Sequence, residues 1–298
     1  MVETGVEVSQ IAPSPARSRG IALIAAGAVL FAAMGAMAKL ASSAIPTMEL
    51  LASRSAVTLL AMELLRRRMG VPLHFARVPY LLSRTVAGFI GMACYFHSLR
   101  FIPLGEAVLL NNISPVLTSF AAVWLLGERL TAWKVGALAV SMLGLWLLVG
   151  ARDLDSVQGQ GALMGGASAL AGAWAMISLK KAAIGNRSLM IVWALAAMSL
   201  TGSLTFADRD WLWPDGREGL LLLGTGLSAA AAQLLYTSGY RLLEASEASV
   251  YAFLTPVFAT IAGGFVFGEW PQGYALGGGL LILGSGVASA WRQTRARP

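Results

Sequence analysis

The chain has 298 residues, 57% hydrophobic and only 12% charged, against roughly 25% charged in ordinary soluble domains. A soluble domain of this size has too little interior to hide that apolar surface, so a bilayer must solvate it. The net charge of +7 comes without a basic face interleaved with aromatics, which argues against nucleic acid as a partner. The single Cys94 leaves no disulfide framework and no CxxC metal site.

Residues 1–18 are polar and Pro-containing and read as a disordered cytoplasmic tail. Arg17 and Arg19 precede an apolar run, about Gly20 to Ala41, which is longer than the roughly 7–15 residues of a signal-peptide core. It reads as the first span. Nine more follow at about 45–65, 79–99, 104–126, 132–150, 160–180, 188–206, 218–239, 246–267 and 273–291, each near the ~20 residues that cross a hydrocarbon core. Residues 292–298 form a second tail, and the longest connection, 207–217, is too short for a catalytic domain. The expected fold is an all-α polytopic membrane protein with ten transmembrane helices.

With ten spans, both termini share one side. Fifteen basic residues fall on that side, among them Arg66, Arg67, Arg68, Lys180, Lys181 and Arg187. Only Lys39, Arg100, Arg152, Arg209 and Arg217 fall opposite. The imbalance predicts cytoplasmic termini. Arg54 and Arg84 lie within spans.

Compared with itself at an offset of 141, the chain matches Tyr95 to Tyr236, Arg100 to Arg241, Glu106-Ala107 to Glu247-Ala248, Pro115-Val116 to Pro256-Val257 and Gly127-Glu128 to Gly268-Glu269. Apolar helices match by chance at Ala, Leu or Val, but rarely at Tyr, Arg, Glu and Pro in one register. The offset carries the third span onto the eighth. Five is odd, so the copies, 19–150 and 159–291, take opposite orientations. Inverted repeats of this kind build secondary transporters, with the substrate held between them near the midplane.

The repeat also carries a resemblance. "RFIPLGEAVLLNNISPVLTSFAAVWLLGERL" in the first half and "RLLEASEASVYAFLTPVFATIAGGFVFGEW" in the second resemble the EamA domain of the drug/metabolite transporter superfamily. The shared marks are a small, acidic start to the fourth or ninth span, a mid-span Pro and a Gly-Glu exit. Arg54, following Ile45-Pro46, also resembles the family pattern. The resemblance implies ten helices, cytoplasmic termini and a central cavity lined mainly by spans 1, 3, 4, 6, 8 and 9.

Several residues are candidates for that cavity. Tyr95 shares a helical stripe with Gly88, Gly91 and Ser98; Tyr236 shares one with Gly226, Ala230, Gln233 and Tyr240. Asn111 and Asn112 are costly in lipid and should face protein or a water-filled cavity. His97 lies about 200° from Tyr95 around the helix, and could hold a carboxylate or pair with a neighbouring helix. Trp174 and Tyr251 are further candidates, with lipid-facing packing the alternative for Trp174. Pro115 and Pro256 should kink their spans, as candidate hinges for the two gates, and free the carbonyls of Asn111 and Ala252, either for a ligand or for a nearby Ser or Thr. Arg100 with Glu106, and Arg241 with Glu247, could latch the two gates, although each Glu also complements a helix N-terminus. Glu49 lies five residues from Arg54 and does not face it, so Arg54 could pair with another helix or snorkel; its role is read as structural.

No HExxH, GxSxG or Walker A motif occurs, so neither an intramembrane enzyme nor an ATP-driven pump is expected, and no catalytic residue, metal or cofactor is assigned. A channel or a structural membrane protein fits the repeats less well. The deep Asn, Gln, Ser, Thr and Tyr residues suit a neutral or zwitterionic metabolite. The leading expectation is amino-acid export across the bacterial inner membrane, by a monomer or homodimer whose other partner is lipid. Uptake of a nucleoside-like metabolite and multidrug efflux stay open.

Overall fold

The computed structural model describes residues 15–114, 116–118, 132–150, 156–207, 211–242, 251, 253–271 and 273–295. These residues form ten helices and no strand: α1 (Pro15–Ala41), α2 (Thr47–Arg68), α3 (Val78–Ser98), α4 (Leu104–Asn111), α5 (Ala132–Gly150), α6 (Val157–Ala182), α7 (Ser188–Phe206), α8 (Gly216–Leu242), α9 (Leu254–Phe267) and α10 (Tyr274–Arg295). Stretches of α1, α6, α7 and α8 are each long and apolar enough to cross a membrane. By contrast, α2 and α3 carry Glu49, Arg54 and Arg84 within their length.

The helix ends follow from local chemistry. α2 finishes on Arg66, Arg67 and Arg68, cations that complement the negative end of the helix dipole. Gly70 then takes a φ of 60°, which lets Val71 N–H bond back to Arg66 C=O at 3.0 Å. Ser156 caps α6, its Oγ accepting from Gly159 N–H at 3.0 Å. α9 stops at Gly268, φ 71°, and Glu269 N–H reaches back to Gly263 C=O at 3.1 Å, the glycine-terminated ending expected of the Gly-Glu exit.

Two spans differ from expectation. Instead of one helix over 104–126, α4 is eight residues long; the chain turns at Asn112 and Ile113 and is helical again at 114 and 116–118. α9 begins only at Leu254, so Pro256 sits in its first turn rather than at mid-span. There its missing N–H has no partner to lose within α9. Pro115 and Ala252 lie outside the described residues.

Helix contacts pair across the two halves. α1 lies along α8 and α3 along α6; α2 meets both α7 and α8, α3 meets α7, and α5 meets α10. Likewise α1 meets α9, α4 meets α6, and α4 meets α9. Advancing every label by five, with return to α1 after α10, turns this set of pairs into itself. Small residues permit the approach, as helix association in lipid favours. A Cβ on Gly91 would stand 3.4 Å from the Ser168 carbonyl of α6, and one on Gly239 2.9 Å from the Gly20 carbonyl of α1.

Candidate functional site

The paired helices line a cavity of about 330 Å³, at the small end of the range for small-molecule sites. α1 contributes Phe31 and Met34, and α3 contributes Gly88, Gly91, Met92, Tyr95 and Phe96. Asn111 and Asn112 close the end of α4, Ser168 and Gly172 come from α6, Gln233 and Tyr236 from α8, and Thr255 from α9. α2 and α7 join the expected lining elements through Arg54 and Leu195.

Of the candidates, Tyr95, Asn111, Asn112, Gln233 and Tyr236 share this cavity. The Tyr236 hydroxyl is 3.1 Å from Thr255 Oγ1, and Phe31 meets its ring edge-on at 5.2 Å. Tyr95 lies with its hydroxyl against Gly35, where a Cβ would approach it to 2.9 Å. Asn111 Nδ2 donates to Ser168 Oγ at 3.0 Å and Asn112 Nδ2 to Val108 C=O at 2.9 Å. Both asparagines therefore line the cavity, Asn111 bonding across to α6 and Asn112 back onto α4. The Asn111 carbonyl accepts from Ser114 Oγ, so the break in α4 is satisfied locally by a serine.

Other candidates sit elsewhere. His97 is half-buried, with its ring edge-on to Phe101 at 5.0 Å. It leaves the cavity because its phase differs from that of Tyr95. Trp174 is 53% exposed on the outer surface of α6, its Nε1 donating to Ser83 Oγ at 3.0 Å. Tyr251 packs with Tyr236 against buried Ile24, behind the wall. The side chains of Tyr240 and Arg241, and all of Glu247, lie outside the described residues. Glu106 is buried in the first turn of α4, whereas Arg100 is exposed and makes no ion pair among the described residues.

A different pair ties this end of the bundle. Lys39, at the end of α1, places Nζ 2.7 Å from Glu269 Oε1 and donates to Ile102 C=O at 2.7 Å. Glu269 Oε2 in turn accepts the N–H of Leu104 at 2.9 Å. One carboxylate thus joins α1, the start of α4 and the segment after α9.

The sequence reading also missed both Arg54 and Arg84 as cavity residues. Arg54 is 4% exposed; its Nη1 lies 3.2 Å from Met92 Sδ and its guanidinium 5.6 Å above the Phe96 ring. Arg84 lines the same cavity. The signal for Arg84 was present: the stripe Gly88, Gly91, Tyr95, extended one turn back, reaches it.

The model of the EamA-like transporter family matches residues 18–150 and again residues 160–289. The chain belongs to the EamA-like transporter family. This transporter is membrane-embedded and multi-pass. It is 29% identical over 270 residues to the pseudopaline exporter CntI of Pseudomonas aeruginosa, covering 90% of this chain and 95% of that one. A riboflavin transporter of Rhizobium johnstonii is 28% identical over 74% of this chain and 73% of its own. An S-adenosylmethionine uptake transporter of Rickettsia felis is 25% identical over 65% and 66%. One crystal structure superposes with a TM-score of 0.66 at 21% identity, covering 93% of this chain and 99% of that one, a likeness of fold.

Proposed function

We propose that the chain is a secondary transporter that exports amino acids or related small metabolites across a bacterial inner membrane by alternating access. Ten helices in two inverted repeats hold both termini in the cytoplasm. The observation that carries the reading is a small cavity walled by both halves, whose helix contacts map onto themselves under a shift of five helices. That exchange is what two oppositely oriented copies would produce, each supplying one gate. The described ion pair Lys39–Glu269 closes one end, on the outer side in this topology, so the conformation is the one that would load from the cytoplasm. Likeness to a named exporter over nearly the whole chain supports the direction.

The test is counterflow in proteoliposomes against a metabolite panel, in both membrane orientations. Exchange of at least one amino-acid-like compound, dependent on the protein and faster in the direction of export, is expected. No exchange of any panel member would reject the reading. Exchange faster inward would favour uptake, the direction named for the rickettsial relative.

A further inference from the structure

We propose that the cavity selects substrates carrying net negative charge through a carboxylate, and that Arg54 of α2 and Arg84 of α3 are the guanidinium groups that hold it. This rests on the transport reading and names the charge class of the cargo.

A guanidinium keeps its proton in a protein, so burying one without an acid is costly. Arg54 Nε is buried with no hydrogen-bond partner, and so is Arg84 Nε. The contacts of Arg54 with Met92 and Phe96 are soft and do not neutralise a charge. Neither arginine forms an ion pair among the described residues, and no Asp or Glu stands among the residues lining the cavity. Described acids are engaged elsewhere: Glu269 with Lys39, Glu63 with Arg66 and Arg67, and Glu49 with the Leu212 N–H at 3.1 Å.

The two heads also lie against the same helix, α3, and line the same cavity. Arg84 Nη1 lies 2.5 Å from where a Cβ on Gly88 would stand, and Arg54 Nη1 lies against Met92. Gly88 and Met92 are one turn apart on α3, about 6 Å along the axis. Two cationic forks on one cavity wall suit a carboxylate, which guanidinium binds through paired, charge-assisted hydrogen bonds. An ammonium entering the same space would meet two fixed positive charges and no described acid. Gln233 and Tyr236 offer neutral hydrogen bonds to the remainder of the ligand, and Phe31, Met34 and Phe96 offer apolar contact. The zwitterion expected from the deep neutral side chains is thereby narrowed to amino-acid-like compounds whose amine is capped or outnumbered by carboxylates.

The experiment uses the purified full chain and four probes sharing one ring: N-acetylphenylalanine (anion), N-acetylphenylalaninamide (neutral), phenylalanine (zwitterion) and phenylalaninamide (cation). Affinities are measured by titration calorimetry. The anion is expected to bind at least about tenfold more tightly than the neutral amide, and the cation most weakly; Arg54→Gln and Arg84→Gln should each cut the anion-to-neutral ratio at least about fivefold. No preference for the anion in the wild type, or a preference intact in both Gln variants, overturns the proposal. Where a Gln variant fails to fold, the Lys variant is read instead: a ratio below wild type supports the paired-fork assignment and an unchanged ratio overturns it. Counterflow on the same preparations separates the two readings. An anion preference in binding without exchange of any metabolite overturns transport and leaves the charge class standing; exchange of neutral or cationic compounds with no anion preference does the reverse.

Discussion

Lys39 Nζ stands 2.7 Å from Glu269 Oε1, with the two side chains 14% and 23% exposed. The carboxylate's other oxygen holds the N–H that opens α4. Exposed ion pairs contribute about 0–1 kcal/mol, while removing one partner of a fully buried pair costs about 3–5 kcal/mol. This pair, partly screened but with two further backbone bonds, falls between. Glu269→Gln should weaken closure of this end by about 1–2 kcal/mol, roughly a 5–30-fold shift in population. A cysteine placed at Met34 in a Cys94→Ser background should then react several times faster with an impermeant reagent from that side. An unchanged rate would show that the pair is no latch.

The cavity tyrosines make separable predictions. Tyr236→Phe removes the hydroxyl that meets Thr255, a bond worth about 0.5–1.5 kcal/mol, and should slow counterflow less than tenfold. Tyr236→Ala and Tyr95→Ala remove a wall and should slow it more than tenfold, with folded protein still in the membrane. Trp174→Ala, outside the cavity, should stay within about twofold of wild type. If all four variants transport alike, the cavity is not the translocation site.

Gly226 fixes the approach of α8 to α2. A Cβ there would stand 2.5 Å from Val57 Cβ and 3.1 Å from the Arg54 carbonyl. Val57 is β-branched and stiff, so neither neighbour yields easily. Gly226→Ala should destabilise by about 1–3 kcal/mol, read as a lowered melting temperature in detergent. Gly277→Ala, with nothing within 4 Å, is the control and should melt within a degree or two of wild type.

Pro256→Ala should be nearly silent. In the first turn of α9 the restored N–H gains no intrahelical acceptor, so stability should change by less than about 1 kcal/mol. Accessibility of the Met34 cysteine should be the same from either side as in its parent. A marked bias toward one side would give this proline the hinge role that the sequence suggested.

The helices were legible because about 20 apolar residues in a row admit few alternatives. Tyr95 and Tyr236 were legible because two repeat copies gave the same phase. What escaped notice had one physical cause: in a bilayer, both the lipid-facing and the inward face of a helix are apolar. Hydrophobic periodicity therefore could not tell the outer face of α6, where Trp174 sits, from its inner face. Nothing on its own helix shows where the Arg54 head goes, because its contacts, Met92 and Phe96, come from α3. Lys39 and Glu269 are 230 residues apart, and no local pattern links them. A proline within an apolar run marks a break, but not on which side of the proline the break falls.

The pairing of α1 with α8 and of α3 with α6 also governs the order of assembly. Neither half contains its own main contacts, so an isolated half would lack its main neighbours and leave Arg54 on a wall without its opposite side. During synthesis α1 ends at residue 41, yet its chief neighbour begins at residue 216. At about 5–20 residues per second the wait is on the order of ten seconds or more. Through that interval the early helices depend on lipid or the insertion machinery to shelter surfaces meant for later ones. Two separately expressed halves should accordingly accumulate only when made together, and a ribosomal pause before α8 should cost yield without altering the activity of the molecules that mature.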